Sequence, residues 1–427
     1  MKCPVWKSLS LALPVLLAVL GCSGGEGAAE ADSPTAPDGI EDAASAQDAS
    51  DLSVAPDANG GEAGDAAGLD EPDGRAADAA VSPSEVAALP DLSSAPDTAQ
   101  LEVEPLEVVE EQTQAELTPP ALADPGDKGE LGVTSATGEL QIGDGWGATK
   151  IPLTIRLPLQ PGSHPVVVFL HGFQLSPADY VSYGDHLASW GYVVVMPKMP
   201  SGTFGFGAPN HVELKQYLAA VLDWIEDDVA KGAGGALQGK ADLAHIGLAG
   251  HSMGGKISLL LATEDKRPLA VVGLDPVDAA GGPLAVDPAD YPSVTPELMG
   301  KISIPIVLLG ETLNGTCSGA FCQACAPEDD NFHQYFLHAT GPALEIEVLE
   351  ASHMSFLDNP NCGLACSLCP AGTDDPSVTR RLSRRYMTAF FNTVLAGQPA
   401  FAEFLTGPQM DQDVADGLVA TSPKNGF

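Results

Sequence analysis

Short, unbroken apolar runs constrain this chain more than any other feature. Residues 166–170 (VVVFL), 192–196 (YVVVM), 245–249 (HIGLA), 270–274 (AVVGL) and 304–309 (IPIVLL) offer almost no polar side chain to water. A strand with one wet face alternates apolar and polar residues, whereas an unbroken run is buried on both faces. Residues 151–157 (IPLTIRL) and 344–349 (LEIEVL) read as two further strands. Between these runs lie helical stretches. Ser176-Pro177 caps one that reaches Trp190, residues 212–229 carry apolar side chains three and four apart, and 257–262 and 378–395 read as two more. Strand–helix alternation of this kind predicts an α/β fold, with a mostly parallel central sheet covered by helices on both faces.

Composition says where that fold begins. The whole chain has 427 residues and a formal charge of −39. Residues 23–130 carry −25 of it, contain no Phe, Trp, Tyr or Cys, and are rich in Ala, Asp, Glu, Gly, Pro and Ser. Such a segment buries too little apolar surface to offset the entropy of ordering. We therefore expect a tether over 22–130, extended by like-charge repulsion, and one folded domain over 131–427 with a net charge of −16. Both parts are acidic, which excludes a duplex-binding protein, since phosphate contacts need clustered Lys and Arg.

The turn after HIGLA carries the chemistry. Gly250-His251-Ser252-Met253-Gly254 matches G-x-S-x-G between a predicted strand and a predicted helix. That context marks Ser252 as a candidate nucleophile on a cramped strand-to-helix turn. A serine hydroxyl needs a base, and the base needs an orienting carboxylate. Of the nine histidines, His353 follows strand 344–349, where a base belongs; His251 reads as a packing position inside the motif. Asp275 directly follows AVVGL and is stiffened by Pro276; Asp278 and Glu311 are alternatives at nearby strand ends. An oxyanion would need two backbone N–H donors, one from Met253 and one from Phe173 in the His171-Gly172-Phe173 loop. No metal or organic cofactor is called for.

Six further cysteines form two clusters, Cys317, Cys322, Cys325 and Cys362, Cys366, Cys369, in the loops after two consecutive strands. An even count in an exported chain predicts disulfides with the pairing open, bracing the loop of His353. The rival is a zinc site built from Cys322, Cys325, Cys366 and Cys369.

The export signal lies at the start. Lys2 and Lys7 precede an apolar run from Leu9 to Leu20, too short to span a bilayer as a permanent helix but fitted to a signal peptide over 1–21. Val19-Leu20-Gly21-Cys22 resembles a bacterial lipoprotein signal, which implies lipidation of Cys22. The Ser23 that follows resembles the outer-membrane sorting preference. The expected location is thus an outer membrane, contacted through the N-terminal anchor alone.

FLHGF (169–173), HLASWGYVVVMP (186–197), GHSMGG (250–255), GLDPVD (273–278), CAPEDDNFHQYF (325–336) and SHMSFLD (352–358) together resemble the chlorophyllase-like and PET hydrolase/cutinase-like branches of the α/β-hydrolase superfamily. The resemblance covers most of 150–397 and implies a Ser252–His353–Asp275 triad. Plant chlorophyllases usually carry Arg after the serine, whereas Met253 matches the cutinase-like polyester hydrolases. The resemblance implies carboxylic ester hydrolysis through an acyl-enzyme and says little about which ester; the acidic domain suits a neutral small or polymeric ester, and a monomer is expected. Rival readings are a chlorophyllase proper, a peptidase or acyltransferase on the same triad, and a non-catalytic surface lipoprotein on the same scaffold.

Overall fold

Val166, Val168 and Leu170 pack into one hydrophobic layer while Val167 and Phe169 pack into another, so a single run of five residues serves two cores. That is the physical reason the run is unbroken. The computed structural model describes residues 122–427, apart from 202–207, 280–286, 318–323, 362, 364, 365, 367 and 368. The signal over 1–21, Cys22, nearly all of the tether, Cys322 and Cys362 lie outside the described residues.

The described strands are β1 (Val133–Ile142), β2 (Thr149–Pro158), β3 (His164–Leu170), β4 (Val193–Pro197), β5 (Ala241–His251), β6 (Pro268–Leu274), β7 (Ile306–Glu311), β8 (Ala343–Val348) and β9 (Val419–Lys424). They form one sheet in the order β1-β2-β4-β3-β5-β6-β7-β8-β9. Strands β3 to β8 run parallel, while β1, β2 and β9 join antiparallel at the two edges. The apolar runs correspond to the parallel strands, as burial on both faces requires. The antiparallel edges β1 and β9 carried no such signal. In β1 exposed residues alternate with half-buried ones, and β9 has one buried residue of six.

Helices α2 (His211–Ala230), α3 (Met253–Ala262) and α4 (Phe332–His338) cover one face; α1 (Val181–Ser189), α5 (Pro376–Val394), α6 (Glu403–Thr406) and α7 (Pro408–Ala415) cover the other. Leu214, Leu218, Val221, Leu222 and Ile225 give α2 its buried stripe. Its start is fixed by a capping box, with Asn210 accepting from the Glu213 N–H and Glu213 accepting from the Asn210 N–H. No described helix is long and apolar enough to cross a membrane.

The domain starts earlier than composition indicated. Arg381 of α5 pairs with Asp124 at 2.7 Å and Asp127 at 3.1 Å, and Arg385 with Asp124 at 3.1 Å. The Trp190 indole donates to the Asp127 carbonyl, and the Gly129 N–H donates to Ser189. Residues 124–129 therefore belong to the fold, because their acidic side chains meet cations supplied by α5. A count of charges along the chain carries no information about those partners.

The chain moves from β3 to β4 on one side, then crosses to β5 on the other side of β3. Ligand sites of open α/β sheets form at such a reversal, outside the carboxyl ends of the strands. Residues 171–173 follow β3 there, and Ser252 follows β5.

Candidate active site

Ser252 sits between β5 and α3 with φ 54 and ψ −123, a backbone conformation that a non-glycine residue holds only under constraint. The constraint is crowding. A Cβ on Gly250 would lie 2.5 Å from the Gly254 carbonyl group, and one on Gly254 would lie 2.4 Å from the Leu170 oxygen. Only residues without side chains allow β5 to turn this sharply into α3 while α3 starts against the end of β3. That close approach sets the first turn of α3 against the backbone of Leu170 and His171.

His353 Nε2 lies 3.0 Å from Ser252 Oγ, and His353 Nδ1 lies 2.6 Å from Asp275 Oδ2. The tautomer follows from the partners: Nδ1–H donates to the carboxylate, leaving Nε2 to accept from the serine hydroxyl. Asp275 is fully buried and His353 is 4% exposed. Burial pushes the Asp275 carboxyl up and the His353 imidazole down to about 4. The imidazole is therefore neutral at pH 7, the form that can accept a proton.

The two alternative acids are occupied elsewhere. Asp278 accepts from the N–H groups of Val294 and Thr295 and from the hydroxyls of Ser293 and Thr295, and it pairs with the fully buried Lys256 at 3.2 Å. Glu311 Oε2 accepts from the N–H groups of Leu313 and Asn314. Neither carboxylate reaches His353.

Phe173 lies in a turn closed by the Leu175 N–H to the Gly172 carbonyl at 3.2 Å, and its side chain is 40% exposed. His171 fixes this loop from below. Its Nδ1–H donates to the Gly172 carbonyl, and Nε2 accepts from the Met199 N–H.

Three supporting residues escaped the reading of the sequence. Tyr180 OH accepts from the Gly172 N–H at 3.2 Å and donates to His251 Nδ1 at 2.7 Å. His251 Nε2–H in turn donates to the His353 carbonyl at 2.9 Å. His251 is thus more than packing, since a hydrogen-bonded chain through Tyr180 joins the 171–173 loop to the backbone of His353. Asn314 Oδ1 accepts from the His353 N–H at 3.0 Å, and its side-chain amide donates to the Pro370 carbonyl. The only sequence signal for His251 was its place inside the motif; Tyr180 and Asn314 had none.

Of the cysteines, Cys325 and Cys369 form a disulfide, and Cys317 and Cys366 are also disulfide-bonded. Cys325 and Cys369 would both have been ligands of the rival zinc site, and their oxidation removes the thiolates that zinc requires. The bridge joins the loop after β7 to the segment that follows His353.

Residues 128–410 match the family model described as chlorophyllase. The chain is 25% identical over 245 residues to chlorophyllase-2 of Arabidopsis thaliana, covering 55% of this chain and 73% of the relative. It is 28% identical over 265 residues to chlorophyllase-1 of Citrus unshiu, covering 60% and 77%. A ferulic acid esterase from Streptomyces cinnamoneus superposes with a TM-score of 0.48 at 20% identity, over 65% of this chain and 94% of that one. The family model spans well over half of the chain. This chain belongs to the chlorophyllase family, carboxylic ester hydrolases of the α/β-hydrolase fold.

Proposed function

We propose that this protein hydrolyses neutral, apolar carboxylic esters through an acyl-enzyme on Ser252. The observation that carries the reading is the hydrogen-bonded line from Ser252 Oγ through His353 to Asp275. His353 Nε2 takes the serine proton as Oγ attacks the ester carbonyl, and the resulting imidazolium is stabilised by Asp275. The oxyanion is held by the backbone N–H groups of Met253 and Phe173, at the start of α3 and in the loop after β3. When the tetrahedral species collapses, His353 returns the proton to the leaving alcohol. A water molecule, deprotonated by the same nitrogen, then attacks the acyl-enzyme; its second collapse releases the acid and restores Ser252.

A domain with a net charge of −16 over 131–427 disfavours anionic substrates. The exposed Phe173 and partly buried Met253 favour an apolar acyl or alcohol group. The relatives named chlorophyllase make a chlorophyll ester the second candidate, and Met253 in place of arginine favours the simpler esters. Turnover of p-nitrophenyl esters, abolished by S252A, tests the reaction, and the relative rates on aliphatic esters, polyester film and chlorophyll test the substrate class. A wild-type protein that hydrolyses none of them, and whose Ser252 resists a fluorophosphonate, would sink the reading.

We also infer export and lipid anchoring at Cys22, with 23–121 as spacer. The Cys325–Cys369 disulfide agrees with an oxidising compartment. Loss of the protein from the membrane fraction on C22S tests the anchor.

A further inference from the structure

Glu311 ends β7 next to the catalytic acid yet takes no part in the Ser252–His353–Asp275 line. Its side chain is 3% exposed. Oε2 accepts the Leu313 N–H at 2.5 Å and the Asn314 N–H at 2.7 Å, which folds residues 311–314 into a tight turn. The turn presents Asn314, itself fully buried, so that its Oδ1 meets the His353 N–H. On the other side, Asp275 is tied to β7 by its own N–H, which donates to the Leu309 carbonyl at 2.7 Å. Glu311 therefore shapes the turn that meets the His353 backbone, at the end of the strand to which Asp275 is tied.

We propose that Glu311 is a positioning residue of this triad: through the 311–314 turn it holds Asn314 against the His353 backbone and so sets the height of the imidazole between Asp275 and Ser252. The proposal rests on the serine hydrolase reading above. The turn needs only an oxygen acceptor, not a charge. Oε1 of Glu311 and Oδ1 of Asp275 are both buried without a hydrogen-bond partner among the described residues. The acidic groups that face Glu311 are Asp275 at the end of β6 and Glu347 of β8. Nearby, His333 of α4 is held by Glu345 at 2.8 Å. Burial and the Asp275 charge push the Glu311 carboxyl up to about 8, which favours its neutral form at pH 7.

Glutamine reproduces a neutral carboxyl with the same acceptor, whereas alanine removes it. The proton shared by His353 Nδ1 and Asp275 gives a proton NMR signal far downfield of the amides, and this is read without any substrate. We expect that signal in the wild type and E311Q, and its loss or shift in E311A. On a p-nitrophenyl ester, E311A should lose roughly tenfold or more in kcat with KM within about twofold, and E311Q should recover most of the loss. An unshifted downfield proton in E311A, or E311Q as defective as E311A in both measurements, overturns the proposal. A wild type that shows the proton but neither turns over esters nor reacts with a fluorophosphonate sinks the hydrolase reading, while the NMR comparison still decides the role of Glu311.

Discussion

The backbone N–H of Ser252 donates to the Leu274 carbonyl at 2.9 Å, so Ser252 is hydrogen-bonded to the last residue of β6, directly before Asp275. The bond continues the β5–β6 ladder one residue past the last paired residues, His251 and Leu274. The next pair repeats the device, with the Asp275 N–H on the Leu309 carbonyl. Three neighbouring strand ends are thereby fixed in register, and the spacing of Ser252, Asp275 and Glu311 follows from sheet geometry rather than from loop conformation.

If that register supports the line of hydrogen bonds, its members act as a unit. D275N should keep the fold and lower kcat by on the order of a thousandfold or more, since the amide cannot hold the imidazole in the right tautomer. D278N should leave the triad hydrogen bonds in place. Steady-state kinetics of the two variants checks this, and a fully active D275N would return the assignment of the acid to open question.

Asp278 and Lys256 form a fully buried ion pair, and the ammonium also donates to the Asp278 carbonyl at 2.6 Å. Removing one partner leaves an uncompensated buried charge, so K256A should cost about 3–5 kcal/mol of stability. Chemical denaturation measures it. A loss below about 1 kcal/mol would mean that water reaches the site.

The Tyr180–His251 chain predicts a kinetic effect of different shape. Y180F removes one hydroxyl that serves both the Gly172 N–H and His251 Nδ1. We expect kcat to fall about tenfold with KM little changed, because the 171–173 loop and His353 lose the hydrogen-bonded chain that joins them. A rise in KM alone would instead assign Tyr180 to substrate binding.

Burial holds His353 neutral well below the ordinary value of 6.5, so the acid limb of kcat/KM should lie below that value. The same sign governs stability. His186 is pushed by burial to about 4 and His211 to about 3. Each folded-state value is depressed, so the unfolded chain takes up protons first as pH falls. The stability from their neutrality is complete above 6.5 and is lost as pH falls toward the folded values; near pH 5 the loss is about 2 kcal/mol for each histidine. Denaturation of the wild type and of H186Q/H211Q at pH 7 and pH 5 should show a smaller drop in the double variant.

The Cys325–Cys369 bridge spans 44 residues of sequence. Replacing both cysteines by serine should cost about 4 kcal/mol through the entropy of the unfolded chain. The segment after His353 loses its brace to the loop after β7, so kcat should fall as well. Reductant titration with activity and melting temperature read in parallel checks both effects.

Much of this protein was written locally. Unbroken apolar runs can satisfy their chemistry only inside a parallel sheet covered on both faces, and VVVFL, HIGLA and AVVGL became β3, β5 and β6. G-x-S-x-G after a strand forces a strained turn because only glycine fits beside its own helix, and Ser252 stands there at φ 54. Strands β1 and β9 were not legible, since an edge strand with little burial has little apolar pattern to read. Residues 124–129 were misassigned to the tether because their ion pairs reach Arg381 and Arg385, more than 250 positions away in sequence. The choice among Asp275, Asp278 and Glu311 likewise lay beyond the sequence. All three stand at or just past strand ends and all three are buried carboxylates; only the folded chain sets one of them 2.6 Å from His353, gives another to Lys256, and turns the third toward Asn314. Local sequence dictates which residue types occupy a turn, but the partner of a buried charge is set by the packing of distant segments, and that packing exists only in the tertiary structure.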